Sequence, residues 1–153
     1  MIEEIPVKIK KLRPDAIIPI YATEGAAGFD LHAYLESSYH VIHPGERELI
    51  QTGIAVQIPP GYEVQVRPRS GLALKRGITV LNTPGTIDSD YTGEIGVIII
   101  NHGDEPYRIE HKDRIAQGVI KCVPHAKFEV VDDLDETERG ASGFGSTGVK
   151  EDE

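Results

Sequence analysis

Apolar and polar positions alternate in short runs along most of this chain. Tyr62-Glu63-Val64-Gln65-Val66-Arg67 alternates strictly, Ile54-Ala55-Val56-Gln57-Ile58 more loosely, and Val7-Lys8-Ile9-Lys10 repeats the pattern near the start. A period of two sends successive side chains to opposite faces, so each run predicts a strand with one face on a core. Val97-Ile98-Ile99-Ile100 is instead a continuous β-branched run, the pattern of a strand buried on both faces. Turn signals separate these runs at short intervals: Pro44-Gly45, Pro59-Pro60-Gly61, Asn82-Thr83-Pro84-Gly85 and Asn101-His102-Gly103-Asp104. No stretch of ten or more residues carries a period near 3.6, and the best helical candidate is one or two turns over residues 70–75. The expected class is all-β, a sandwich, jelly roll or small barrel of short strands with at most one short helix.

The 153 residues, 39% of them hydrophobic, suit a single domain with its own core. Its composition changes after Val131. Asp132-Asp133-Leu134-Asp135-Glu136-Thr137-Glu138 is acidic, and Arg139-Gly140-Ala141-Ser142-Gly143-Phe144-Gly145-Ser146-Thr147-Gly148 sets four glycines around one aromatic. Residues 1–131 are therefore expected to form the folded body and residues 132–153 a mobile acidic linker and glycine-rich arm. Mobility alone leaves unexplained why an arginine and a phenylalanine are embedded among those glycines. No apolar run is long enough for a membrane helix, and the first residues show no signal-peptide pattern. The single cysteine, Cys122, excludes an internal disulfide and fits a reducing cytoplasm. Its apolar surroundings predict a small buried hydrophobe.

Charge alters the picture once it is mapped. Of the formal −9, residues 132–153 contribute eight acids against two bases, leaving the body nearly balanced. Within the body, residues 67–76 hold four bases and no acid. One reading of that stretch is a solvated turn. The other is a compact polyphosphate site, since nearby charges dominate within a Debye length. The acidic total argues against nonspecific nucleic-acid binding.

Four clusters carry candidate chemistry. Arg69-Ser70-Gly71 offers a guanidinium fork, a hydroxyl and a closely approachable backbone amide, all suited to phosphate. Residues 82–93 crowd Asp88, Asp90 and Tyr91 into one loop, as solvated acids or as a general base or metal contact. Asp113-Arg114-Ile115-Ala116-Gln117 reads equally as a turn with an ion pair. The tail lacks the lysine and following helix of a P-loop, so any grip on phosphate must come from an arm folding over. The six histidines show no metal-ligand spacing, and no serine stands in a nucleophile elbow.

Taken in order, the blocks Ala27-Gly28-Phe29-Asp30-Leu31, Pro68-Arg69-Ser70-Gly71-Leu72, Asn82 with residues 85–93, residues 113–117 and the tail resemble the trimeric deoxyuridine triphosphatases. The resemblance covers roughly residues 27–148 and implies a distorted jelly-roll-like β-barrel with a mobile C-terminal arm. The implied reaction is hydrolysis of dUTP to dUMP and pyrophosphate, keeping uracil out of DNA and supplying dUMP for dTMP synthesis. It assigns Asp88 to activating the water that attacks the α-phosphate in line, with Gln117 beside it. Arg69, Ser70 and Gly71 would contact phosphate, Asn82 uracil, and Tyr91 the deoxyribose, leaving no room for a 2′-hydroxyl. In the tail, Phe144 would stack on uracil, Arg139 would reach the γ-phosphate, and Gly145, Ser146 and Thr147 would add contacts. Asp30 would hold, through water, a Mg²⁺ bound mainly by the triphosphate. A homotrimer with sites between subunits is implied. Two positions depart from the pattern: Lys112, where the family often has glycine, and Ala141-Ser142 at the start of the arm. The alternatives are a silent nucleotide-binding protein on the same fold and dCTP deaminase. The latter needs a glutamate absent from Ile95-Gly96-Val97-Ile98-Ile99-Ile100.

Overall fold

The computed structural model describes residues 1–151. Among them, ten strands and one helix succeed one another: β1 (Lys8–Lys11), β2 (Phe29–His32), β3 (Tyr39–Ile42), β4 (Arg47–Gln57), β5 (Tyr62–Arg67), α1 (Ser70–Arg76), β6 (Ile78–Val80), β7 (Gly85–Ile87), β8 (Glu94–Asn101), β9 (Tyr107–Glu110) and β10 (Arg114–Cys122). The alternating runs became β1, β4 and β5, and each turn signal falls at a strand-to-strand connection, with Gly85 opening β7 and Asn101 closing β8. Helix α1 covers the predicted turns and stops at Gly77, whose φ of 67° is left-handed and whose N–H donates to the Ala73 carbonyl. Glycine takes that conformation without a Cβ penalty.

Two four-stranded antiparallel sheets, ordered β1-β4-β8-β6 and β2-β10-β5-β7, are accompanied by a two-stranded β3-β9 sheet. Their inward residues make one core, including Leu31, Val64 and Ile115 from one sheet and Ile54, Val97 and Ile99 from the other. The fold is a distorted jelly roll. Its sheets stay separate and close no barrel, an arrangement in which two faces cover one another while short edges remain. Edge strand β1 is exposed along its length and carries Lys8, Lys10 and Lys11, charges that discourage further strand pairing. Asn101, fully buried, donates to the Ile42 and Glu105 carbonyls and accepts from the Gly103 N–H, tying the β8–β9 turn to β3.

Two expectations need amending. In β8, Val97, Ile99 and Ile100 are buried, but Ile98 is only half-buried. Cys122 is an exposed free cysteine, not a buried hydrophobe. It ends β10, whose last two residues are exposed, so an apolar neighbourhood in sequence does not become burial. After it, the side chains of Phe128, Val130, Leu134 and Phe144 all stand in solvent.

Candidate active site

Sheet register gathers the phosphate-like residues. Gln117 on β10 pairs with Asp30 on β2 and with Arg67 on β5, forming a row across three strands. Just beyond β5, Arg69 directs its Nε to Asp30 Oδ1 (3.4 Å), and Arg114 brings Nη1 to Oδ2 (3.7 Å). Arg69 Nη1 also donates to the Arg114 carbonyl at 3.3 Å, which holds the two guanidinium-bearing residues together. Two cations around one partly buried carboxylate leave an excess positive charge, suited to a polyanion. Gln117 Nε2 donates to the Pro68 carbonyl at 3.0 Å, while Gly28 lies so close that a Cβ there would strike Gln117 Oε1. Ser70 and Gly71 are exposed in the first turn of α1, which holds no acidic side chain.

A second feature is an open hollow of about 220 Å³ lined by Thr86, Ile87, Asp88, Tyr91, Glu94, Ile95 and Gly96. Asp88 follows directly on β7, is exposed, and accepts the Tyr91 N–H through its carbonyl. The Tyr91 hydroxyl donates to the Glu94 carbonyl at 2.8 Å. The Glu94 carboxylate is engaged elsewhere, by both oxygens with Arg13 Nη1 (3.2 and 3.0 Å) and by the Gly53 N–H (2.9 Å). Glu94 is thus a carboxylate at the head of β8, one residue before the acid-free run 95–100. Arg13 and the Gly53 N–H occupy its two oxygens. Asn82 is exposed in the β6–β7 turn beside Gly85.

Within one chain these two features do not meet. Antiparallel pairing sets Gly85 opposite Val66 and Ile87 opposite Val64, so Asp88 leaves β7 toward the start of β5. Gln117 and Asp30 lie at the other end, level with Arg67. From Glu63 to Arg67 the strand advances about 13 Å. Neither tail anchor is at these features: Arg139 Nε donates to the Ser142 carbonyl at 2.9 Å, and Phe144, with a φ of 52°, is fully exposed.

Several side chains acquire their partners only in the fold. Arg114 proves to be a partner of Asp30 within its own chain. His32, two residues beyond Asp30 and cross-strand from Arg114, has a buried Nδ1 with no hydrogen-bond partner among the described residues, and burial pushes its pKa down. Arg13 and Glu94 emerge only through their pairing. Asp113 accepts the Glu110 N–H in a turn where Lys112 has a φ of 74°, the conformation that a glycine at that place adopts freely.

The sequence profile of the dUTPase family matches residues 14–148. The chain belongs to that family. It is 61% identical over 142 residues to the deoxyuridine 5′-triphosphate nucleotidohydrolase of Nautilia profundicola, covering 93% of this chain and 98% of the relative. With the Helicobacter hepaticus enzyme of the same name it shares 55% over 149 residues, 97% of this chain and 92% of that one. Among solved dUTPases, that of Staphylococcus bacteriophage 80alpha with dUPNHPP superposes with a TM-score of 0.85 at 29% identity, covering 94% and 99% of the two chains. The dUTPase of Staphylococcus aureus phage phi11, a mutant of which was described with a structural Mg(II) ion, shares the fold at 24% identity and a TM-score of 0.77, over 86% of this chain and 99% of that one.

Proposed function

We propose that the chain hydrolyses dUTP to dUMP and pyrophosphate in the cytoplasm, as a homotrimer whose sites form between copies. The supporting observation is the separation of the Asp88–Tyr91 hollow from the Asp30–Arg69–Gln117 row. A hollow of about 220 Å³ is too small alone for a nucleoside triphosphate, since ligand pockets run to roughly 300–1,000 Å³. Facing copies bring the hollow of one chain to the cationic row of another. The exposed thiol of Cys122 suits a reducing compartment.

In this reading uracil lies by Asn82, the deoxyribose packs on Tyr91, and Arg69, Ser70 and Gly71 take the phosphates. Asp88 accepts a proton from the water attacking the α-phosphorus, and Gln117 orients that water. An aspartate contributes about 10²–10⁴-fold as general base, so positioning and charge stabilisation supply the rest. From the tail, Phe144 stacks on uracil, Arg139 reaches the γ-phosphate, and Gly145, Ser146 and Thr147 close over the chain of phosphates. Among the described residues no three acids, histidines or cysteines cluster as a metal cage. One carboxylate already flanked by two arginines fits an ion held by substrate oxygens and reached through water. Asp30 would hold the waters of such a Mg²⁺, which would supply neutralisation of phosphate charge.

Pyrophosphate release from dUTP, dCTP, dTTP and UTP, with magnesium, tests the reading. The expected result is a preference for dUTP, with Asp88→Asn slower by about 10²–10⁴-fold. Equal turnover of all four would overturn the substrate, full activity in the variant the role of Asp88, and dUTP binding without turnover the enzymatic reading.

A further inference from the structure

Excluding a 2′-hydroxyl by contact requires a wall that does not yield, because a pocket built only to fit rejects one added hydroxyl weakly. Tyr91 is 48% exposed, so packing alone does not hold its ring. Two contacts do. Its hydroxyl donates to the Glu94 carbonyl at 2.8 Å, and the ring folds back on Gly93, where a Cβ would lie 2.7 Å from the hydroxyl oxygen. The wall is therefore as rigid as Glu94.

Glu94 is anchored from outside the hollow. Arg13 Nη1 bridges both its carboxylate oxygens, and the Gly53 N–H donates to one of them. The segment bearing Arg13 is pinned in turn: the Leu12 N–H donates to the Gly53 carbonyl at 2.8 Å, and the Ala16 N–H to that of Arg13 at 3.1 Å. The Arg13 guanidinium stands 4.7 Å over the Tyr34 ring, whose hydroxyl donates to Asp15 Oδ1 at 2.8 Å. His111 Nδ1 accepts the Leu35 N–H, so its Nε2 carries the proton given to Asp15 Oδ2, 2.9 Å away. The further contact of Arg13 with Glu36, 85% exposed, is screened by solvent.

We propose that Arg13 is a positioning residue for sugar specificity, acting through Glu94 on the Tyr91 wall. The proposal rests on the dUTP reading. Lysine retains the charge and stem of Arg13 but lacks the planar guanidinium. The experiment compares kcat/KM for dUTP and for UTP, together with thermal stability, in wild type, Arg13→Lys, Tyr91→Phe and the double variant. Arg13→Lys is expected to lower the dUTP:UTP ratio by about tenfold, a usual coupling within one hydrogen-bond network. A purely structural role would lower both values alike, leave the ratio unchanged and overturn the proposal. In the Tyr91→Phe background, which lacks the bond to Glu94, Arg13→Lys is expected to add no further loss of ratio. An equal loss there would overturn the proposed route. Should Arg13→Lys fold poorly, Glu94→Gln weakens the same ion pair from its other partner, and an unchanged ratio overturns the proposal. Wild-type protein that does not prefer dUTP over UTP would overturn the underlying reading instead.

Discussion

Asp15 is nearly half exposed, yet its carboxyl is held down to about 2 from an ordinary 3.8. The hydrogen bond from His111 contributes most, and that from Tyr34 adds to it. Lys112 Nζ stands 4.0 Å away. A depressed folded-state pKa contributes stability that is fully present above the unfolded value and disappears as pH falls through the folded one. Thermal melts are therefore expected to lose this contribution between about pH 4 and 2, with a shallower fall over the same window for Asp15→Asn. Parallel slopes would place acid sensitivity elsewhere. Nothing near Asp15 in sequence announces this, because His111 lies in the turn just after β9. Lys112 is the opposite case. Its departure from a glycine is visible by comparison, but the left-handed turn that explains the glycine is visible only in the fold.

Among elements, the β2–β10 contact carries the most chemistry per residue. Its geometry depends on Gly28, where an added Cβ meets the free end of the Gln117 side chain. The fold can yield there by swinging the amide away from Pro68, so Gly28→Ala is expected to reduce kcat/KM for dUTP by about 10²-fold. Its effect on unfolding stability should stay within about 1 kcal/mol. Steady-state rates and denaturant titration separate the two, and an equal loss in both would make Gly28 a packing residue only. Long alternating strands such as β5 were readable because the pattern extends over several residues. Strands β2, β3 and β9 have four residues each, and unlike the equally short β1 they were not marked by their alternation. The β3–β9 pair also joins Tyr39 to Glu110, a partnership with no local trace.

At the scale of the molecule, the proposed assembly rests on an exposed tail and on the distance between the Asp88–Tyr91 hollow and the Asp30–Arg69–Gln117 row. Truncation after Glu138 is expected to cut dUTP turnover by about ten- to a hundredfold, the worth of one aromatic stack on a base. Sedimentation should still give the mass of the full-length assembly, less the missing residues. Dissociation instead would make the segment a structural tie between copies. No described helix is long and apolar enough to cross a membrane.

The chain's own pattern determined the all-β class, the single helix, the turns between strands, and the short blocks that resemble dUTPases. These are local properties: a period, a turn residue or a motif is complete within a few positions. Only the tertiary structure decided that Arg114 and Arg69 share Asp30, that Cys122 is exposed, and that Asp88 and Gln117 occupy opposite ends of β5. Each depends on which distant strand pairs with which, and in what register. One residue of slip reverses every face, and that choice is settled by burying a common core, not by either strand alone.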